Sequence, residues 1–170
     1  MRASVVLAGM LAAVALSLAA VIGIMLIDLD RLSGEESAGQ EALATARSVA
    51  VDMLSYDYRT IEQDFSRARV YTTGSLTQYY RDLGATLVPT VKRQRTVQEA
   101  TVAGAAVESA TSDRVEVLLF VNMGTVKTLP GERQPRRQVS QNRARLVMVK
   151  QDGRWLVAEL STLLGDPPPN

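Results

Sequence analysis

The residue types needed for proton-transfer chemistry cluster in one short stretch. Tyr56, Asp57, Tyr58 and Asp64 lie within nine positions, and a carboxylate base beside a phenolic donor in a dry pocket is what a proton-transfer isomerase uses. Asp57 and Asp64 are seven apart, so a helix containing both would carry them on one face. Each residue also has a plainer role. Asp57 is placed to cap a helix starting at Tyr58, its carboxylate accepting a backbone N–H. Asp64 can be solvated, and the tyrosines can pack in a core or at its lip. Nothing in the stretch exceeds what caps and packing explain, so the sequence predicts no enzyme. The chain has no His and no Cys. That excludes Ser-His-Asp and Cys-His triads and leaves zinc only all-oxygen sites, so no cofactor and no metal are expected. Further along, Tyr80 falls on the apolar face of a later helix. Trp155 follows a turn at Asp152-Gly153 and serves either as a core anchor or as the lining of a cavity mouth.

Two other groupings concern binding. Arg133, Arg136, Arg137, Arg143 and Arg145 form the one local positive cluster in a chain of net charge +1. A solvated hairpin is the plain reading. The sharper one is a contact with anionic headgroups or an acidic partner, each basic residue near a membrane contributing about 1 kcal/mol. The near-neutral balance argues against nucleic acid as a partner. Gly9, Ala13 and Ser17 recur at spacing four, a small-residue face that would let a second membrane helix approach closely, although Ala12, Ala15, Ala19 and Ala20 spread small residues over the other faces too.

The elements that must position these groups begin with an anchor. No charge occurs between Arg2 and Asp28, and the run Ala3–Ile27 makes roughly 37 Å of helix, enough to cross a bilayer. Ala13-Val14-Ala15 offers a signal-peptide cleavage site, but the apolar run continues well past it, which favours an uncleaved anchor. Arg2 before the span and Asp28 and Asp30 after it place the N-terminus in the cytoplasm and the rest outside the cytoplasmic membrane, in a single pass. The expected organisation is a cytoplasmic start and transmembrane helix over 1–30, a juxtamembrane helix over 31–56, an extracytoplasmic α+β domain over 57–164 and a disordered tail over 165–170.

Ser33 and Glu36 have capping-box spacing and predict a helix from Gly34 to Leu54 with a thin, Ala-rich apolar stripe. A second helix is predicted over Tyr58–Tyr71, stopped by Gly74, and a third opens at the Ser75–Gln78 capping box and ends or kinks at Pro89. The period then changes from 3.6 to 2, giving strands over Val97–Ser109, Val115–Val121, Val139–Lys150 and Trp155–Leu160. Gly104 marks a bulge, Thr125–Gln138 a long connection and Asp152-Gly153 a type I′ turn. Helices followed by antiparallel strands are α+β, and a curved four-stranded sheet closed by three helices is a cone with a mouth.

The order of motifs carries a resemblance. A short anchor, an Ala-rich helix, Tyr56-Asp57-Tyr58-Arg59-Thr60-Ile61 with Asp64, the Thr73-Gly74 step before a helix with Tyr80, the strand Val102–Val107 and the closing Asp152-Gly153-Arg154-Trp155-Leu156-Val157 together resemble the Mce-associated membrane proteins of actinobacteria. These are small partners of mammalian-cell-entry lipid importers. The resemblance implies a nuclear-transport-factor-2-like, or SnoaL-like, cone on one membrane helix. It further implies an accessory, stabilising role in which the partners are the membrane, the subunits of an Mce-type lipid transporter and, as a cargo contact, lipid. Two alternatives stay open. One is the bitopic inner-membrane subunit of a type IV secretion-like machine, which uses a similar anchor and cone. The other is a membrane-tethered lipid-binding or isomerase-type domain.

Overall fold

The computed structural model describes residues 2–163, with side chains described at 18, 21–26 and 29–162. The elements run α1 (Arg2–Leu54), β1 (Tyr56–Asp57), α2 (Ile61–Val70), α3 (Gly74–Arg93), β2 (Val97–Ala110), β3 (Arg114–Lys127), β4 (Arg136–Gln151) and β5 (Arg154–Leu163). The chain divides into two compact units, Met1–Ser37 and Ala38–Asn170. Residues 38–56 therefore belong to the same unit as the sheet.

In the first unit α1 runs through Ser33 and Gly34 without the helix start that the capping-box spacing predicts there. Ser33 does not cap; its hydroxyl donates to the carbonyl oxygens of Leu29 (2.8 Å) and Asp30 (3.3 Å), the back-bonding of a mid-helix serine. Helix formers on both sides, and the Arg31–Glu35 pair at 2.9 Å one turn apart, carry the helix across Gly34. Leu18, Val21, Ile22, Ile24, Met25, Leu26, Leu29 and Leu32 each expose more than half of their surface. Among the described residues no helix is long and apolar enough to cross a membrane, and most of the 3–27 run lies outside those with described side chains. The side chains of Gly9, Ala13 and Ser17 likewise lie outside the described residues, as does the 165–170 tail.

In the second unit, β1 to β5 form one antiparallel sheet in sequence order. Side chains alternate along each strand, and the inner row Val115, Val117, Leu119 and Val121 of β3 sits beside Ala144, Leu146 and Met148 of β4, all buried. The end of α1 lies on this face. Ala38, Ala42, Ala46 and Ala50 recur every four residues and are buried in the same cluster as the β3 and β4 rows, so small side chains let helix and sheet approach closely. Gly39 faces Ala110 and Val107, and Glu41 reaches Lys150 and Trp155. The unit's chain thus enters at the end of the sheet that carries the β2–β3 and β4–β5 turns, opposite the β3–β4 hairpin.

Four expectations are corrected here. A fifth strand, β1, pairs Tyr56 with Gln98 and Asp57 with Val97, so α2 starts at Ile61 rather than Tyr58. Gly74 does not stop α2. It opens α3 with φ +60, and the position before it, Thr73, is extended. Pro89 neither ends α3 nor marks its boundary, because the helix runs on to Arg93. Pro89 and Ala85 both lie on the exposed side, where water can satisfy the carbonyl that loses its donor. Finally, β3 and β4 pair well past Val121, down to Lys127 opposite Arg136, which shortens the connection to Thr128–Pro135.

Other readings match. The register of β2 shifts between Val102 and Gly104 and again between Val107 and Ser109, and such bulges bend a strand. At Asp152 (φ 49) and Gly153 (φ 75) both turn residues have positive φ, as a type I′ hairpin requires. The edge strand β5 also touches the α2–α3 junction through a single parallel bridge at Thr72 and Val157, with Val157 N–H donating to Tyr71 O at 2.8 Å and Thr73 N–H to Val157 O at 2.9 Å.

Candidate functional site

The second unit contains an apolar cavity of about 330 Å³, at the lower end of the size range for small-molecule sites. The end of α1 contributes Met53 and Leu54, β1 contributes Tyr56, and α2 contributes Phe65. Helix α3 adds Tyr79, Tyr80, Leu83 and Leu87, while Gln98, Met123, Asn142, Leu160 and Thr162 come up from the inner face of the sheet. The aromatic rings form a continuous row: Tyr56 to Phe65 at 6.5 Å, Phe65 to Tyr80 at 6.1 Å and Tyr80 to Tyr79 at 6.2 Å. Such offset and edge contacts favour a fixed geometry.

The polar groups in this lining are mostly committed to the protein. Tyr80 Oη donates to Met53 O at 3.2 Å and Tyr56 Oη to Gln98 Oε1 at 3.3 Å, while Gln98 Nε2 donates to Leu54 O at 2.8 Å. Asn142 Nδ2 donates to Ser140 Oγ at 3.1 Å. Burial pushes both phenols above the ordinary tyrosine value, so each stays protonated and acts as a donor. Among the described residues no carboxylate lines the cavity.

Asp57 and Asp64 are near the aromatic row in sequence but have other partners. Asp57 is not a helix cap. Its carboxylate accepts the Arg59 backbone N–H at 2.9 Å and Arg59 Nε at 3.0 Å, and the hydrogen-bonded guanidinium holds its pKa below the usual carboxylate value. Asp64 Oδ2 accepts from Asp57 N–H (3.1 Å) and Thr60 Oγ1 (2.9 Å), fixing the turn between β1 and α2, and Arg67 approaches its other oxygen at 3.6 Å. With Asp57 in a strand, the shared helix face does not form. Tyr58 is not part of the cavity lining; its N–H donates to Thr96 O at 3.0 Å, and the Arg59 guanidinium lies 5.4 Å from its ring centre.

Trp155 is the expected anchor and does not line the mouth. It is buried on the far side of the unit, with Nε1 donating to Glu41 Oε2 at 3.2 Å and Lys150 Nζ lying 5.4 Å from the ring centre. Of the arginines, Arg136 pairs with Glu132 and Arg145 with Glu108 at 2.6 Å. Arg133, Arg137 and Arg143 are exposed, and none has a carboxylate within salt-bridge distance among the described residues. No group of acidic side chains among those residues is arranged to hold a metal ion. Sequence reasoning missed Gln98, Met123, Asn142, Leu160 and Thr162. Asn142 and Ser140 gave the available signal: polar residues at inward-facing positions of a strand whose other inward residues are Ala144, Leu146 and Met148.

The comparisons with known proteins agree with this architecture. An IcmL-like type IV secretion system protein from Legionella pneumophila superposes with TM-score 0.57 at 14% identity, covering 75% of this chain and 94% of the other. The VirB8 protein of Agrobacterium tumefaciens superposes with TM-score 0.51 at 15% identity over 76% of this chain and 95% of that one. At these identities the likeness is one of fold. In sequence, the Mycobacterium tuberculosis "Outer membrane protein Rv1973" is 30% identical over 156 residues, covering 91% of this chain and 94% of that protein. "Uncharacterized protein Rv1362c" of the same organism is 27% identical over 128 residues, and there the aligned part of the chain spans 56% of the relative's length. The family profile described as "Uncharacterized protein Rv1363c/MT1408-like" matches residues 3–161. With a match over nearly its whole length, the chain belongs to the Rv1363c/MT1408-like family.

Proposed function

We propose that this protein is a membrane-anchored, non-enzymatic subunit of a cell-envelope assembly, acting through protein–protein contacts of its α+β unit. One observation carries most weight: the acidic groups near the aromatic row are engaged elsewhere, Asp57 and Asp64 with Arg59, Thr60 and the backbone and Asp52 with the Tyr71 hydroxyl, and no carboxylate lines the cavity among the described residues. The anchor reading rests on the uncharged run Ala3–Ile27 and on the broadly exposed apolar side chains from Leu18 to Leu32. Charge flanks favour the N-terminus inside and the α+β unit outside the cytoplasmic membrane.

Of the two machines considered, a type IV secretion-like assembly has the better support, because the solved folds that superpose include subunits of such systems. The Mce-type lipid importer is the second reading. It is favoured by the motifs at Tyr56–Ile61 and Asp152–Val157. In either setting a subunit without chemistry acts by stabilising the assembled state over the separated one, and confinement to the membrane raises its effective concentration for a membrane-bound partner. Copurification of the tagged full-length protein from crosslinked, detergent-solubilised membranes tests this. The expected result is recovery of components of one envelope machine, whose identity separates secretion from lipid import, with lowered abundance of those components when the protein is deleted. Recovery of none, with their levels unchanged in the deletion, would overturn the reading.

A further inference from the structure

Helices α2 and α3 leave a surface groove of about 480 Å³, and among the described residues only these two helices line it. Phe65 faces Gly84 and Glu62 pairs with Lys92, so the helices run antiparallel. That direction sets Arg69 level with Arg81 at the end next to the connecting turn, and Ser66 level with Ala85 in the middle. The charge along the groove is uneven. At one end Glu62 and Lys92 neutralise each other. At the other, Arg69 and Arg81 have no carboxylate within salt-bridge distance among the described residues. Arg81 Nη1 donates to the neutral Gln78 Oε1 at 2.9 Å, and the neighbouring Asp82 accepts from Gln78 Nε2 at 2.9 Å. Every other arginine with a described side chain is exposed, whereas Arg69 is half-buried. A guanidinium drawn part-way out of water without a counter-charge is unfavourable, so this end of the groove suits an anion.

The middle of the groove is low and its floor is apolar, with Phe65 and Val88 in the lining. A Cβ added at Gly84 would first meet the Phe65 side chain, at 3.8 Å, an ordinary contact. Glycine inside a helix is less stable than alanine, so the chain's own packing gives no reason for this one. With Ser66 and Ala85 on either side it lets another backbone come close, and packed helices lie about 8–10 Å apart. Pro89, also in the lining, removes the helical donor of the Ala85 carbonyl. We propose that the α2–α3 groove holds an amphipathic helix of a partner protein. The partner's acidic residue lies between Arg69 and Arg81, its small residues lie over Gly84, and a side-chain donor about one turn along meets the Ala85 carbonyl. This is helix-in-groove recognition, with a charge pair at one end fixing the direction of the guest.

Two other occupants fit worse. An acyl chain with an anionic head would match the arginines but leave the Ala85 carbonyl without a donor. A second copy docking by the same face would bring two pairs of arginines together, and like charges in contact repel. The inference rests on the assembly reading above and names the surface it uses. The two fail separately, because copurification can recover an envelope machine held through another face while the groove stays empty.

The test is photo-crosslinking in the native cells. The full-length protein carries p-benzoylphenylalanine at Ser66 or Ala85 in the groove, or at Gln63 or Thr86, which are exposed on the same helices outside it. The expected result is one protein adduct from Ser66 and Ala85 and none from Gln63 and Thr86. Mass spectrometry should map it to a partner segment with helical apolar spacing and an Asp or Glu. The R69E/R81E double variant should lower the adduct about tenfold, in line with the loss of two charge contacts, with Trp155 emission unchanged as a check of the fold. Replacing the mapped acid by Arg in the partner should restore it. No adduct, an unchanged adduct in R69E/R81E or failure of the charge-swapped partner to restore it would each overturn the proposal. So would an adduct of lipid mass, or one mapped to a second copy or to residues 164–170 of the same chain.

Discussion

Glu41 joins three parts of the molecule through one carboxylate. From α1 its Oε2 accepts Lys150 Nζ of β4 at 2.9 Å and Trp155 Nε1 of β5 at 3.2 Å. The Lys150 hydrogen bond, then that of Trp155, lowers its pKa below the ordinary 4.5. A carboxyl whose folded value is depressed contributes stability that is present above the unfolded value and is lost as pH falls through the folded one. Trp155 is the chain's single tryptophan and reports on this contact. Its emission should therefore titrate with a midpoint below 4.5, and the titration should vanish in Glu41→Gln. A midpoint at or above that value, or an unchanged titration in the variant, would refute the account. At this scale the sequence was informative about Trp155, because a type I′ signal at Asp152-Gly153 fixes where the next side chain goes. It was misleading about Asp57, since a capping residue and a strand residue before a turn look alike until a partner strand is known, and here the partner strand begins at Val97.

The alanine stripe of α1 works at the level of the element. Ala42 and Ala46 are fully buried, and their size sets the spacing between helix and sheet. Ala46→Leu should lower stability by about 1–3 kcal/mol through overpacking, measured by denaturant unfolding of the detergent-solubilised protein. Ala44→Leu, on the exposed side, should be close to neutral. If both variants behaved alike, the close approach would be wrong. The stripe was legible because its period is local. So were β2 to β5, whose alternation between buried and exposed residues needs no knowledge of neighbours. The capping pattern at Ser33 was a false start, because a serine within a helix can turn its hydroxyl back to the preceding turn as readily as it can cap. The true lengths of β3 and β4 were hidden because Asn122-Met123-Gly124-Thr125 reads as a loop and is held in the ladder by Gln98–Thr101 on one side and Gln138–Gln141 on the other.

At the scale of the whole molecule, the charge flanks of the first segment make a topological prediction. A reporter fused after Asn170 should be active only outside the cytoplasm; activity confined to the cytoplasm would reverse the orientation. The cavity was not legible as a site, since its lining draws on all eight elements, many of them far apart in sequence. The place where α1 meets the sheet has a mechanical consequence. The unit's chain enters beside the β2–β3 and β4–β5 turns, near Ala110 and Lys150, and α1 continues across the buried face to Leu54. A pull on the chain ahead of Ala38 is therefore borne first by the Glu41 bonds to Lys150 and Trp155 and by the alanine contacts. The ladder bonds of the sheet take up load only after that helix has begun to peel away, so α1 acts as the strain relief of the sheet it covers.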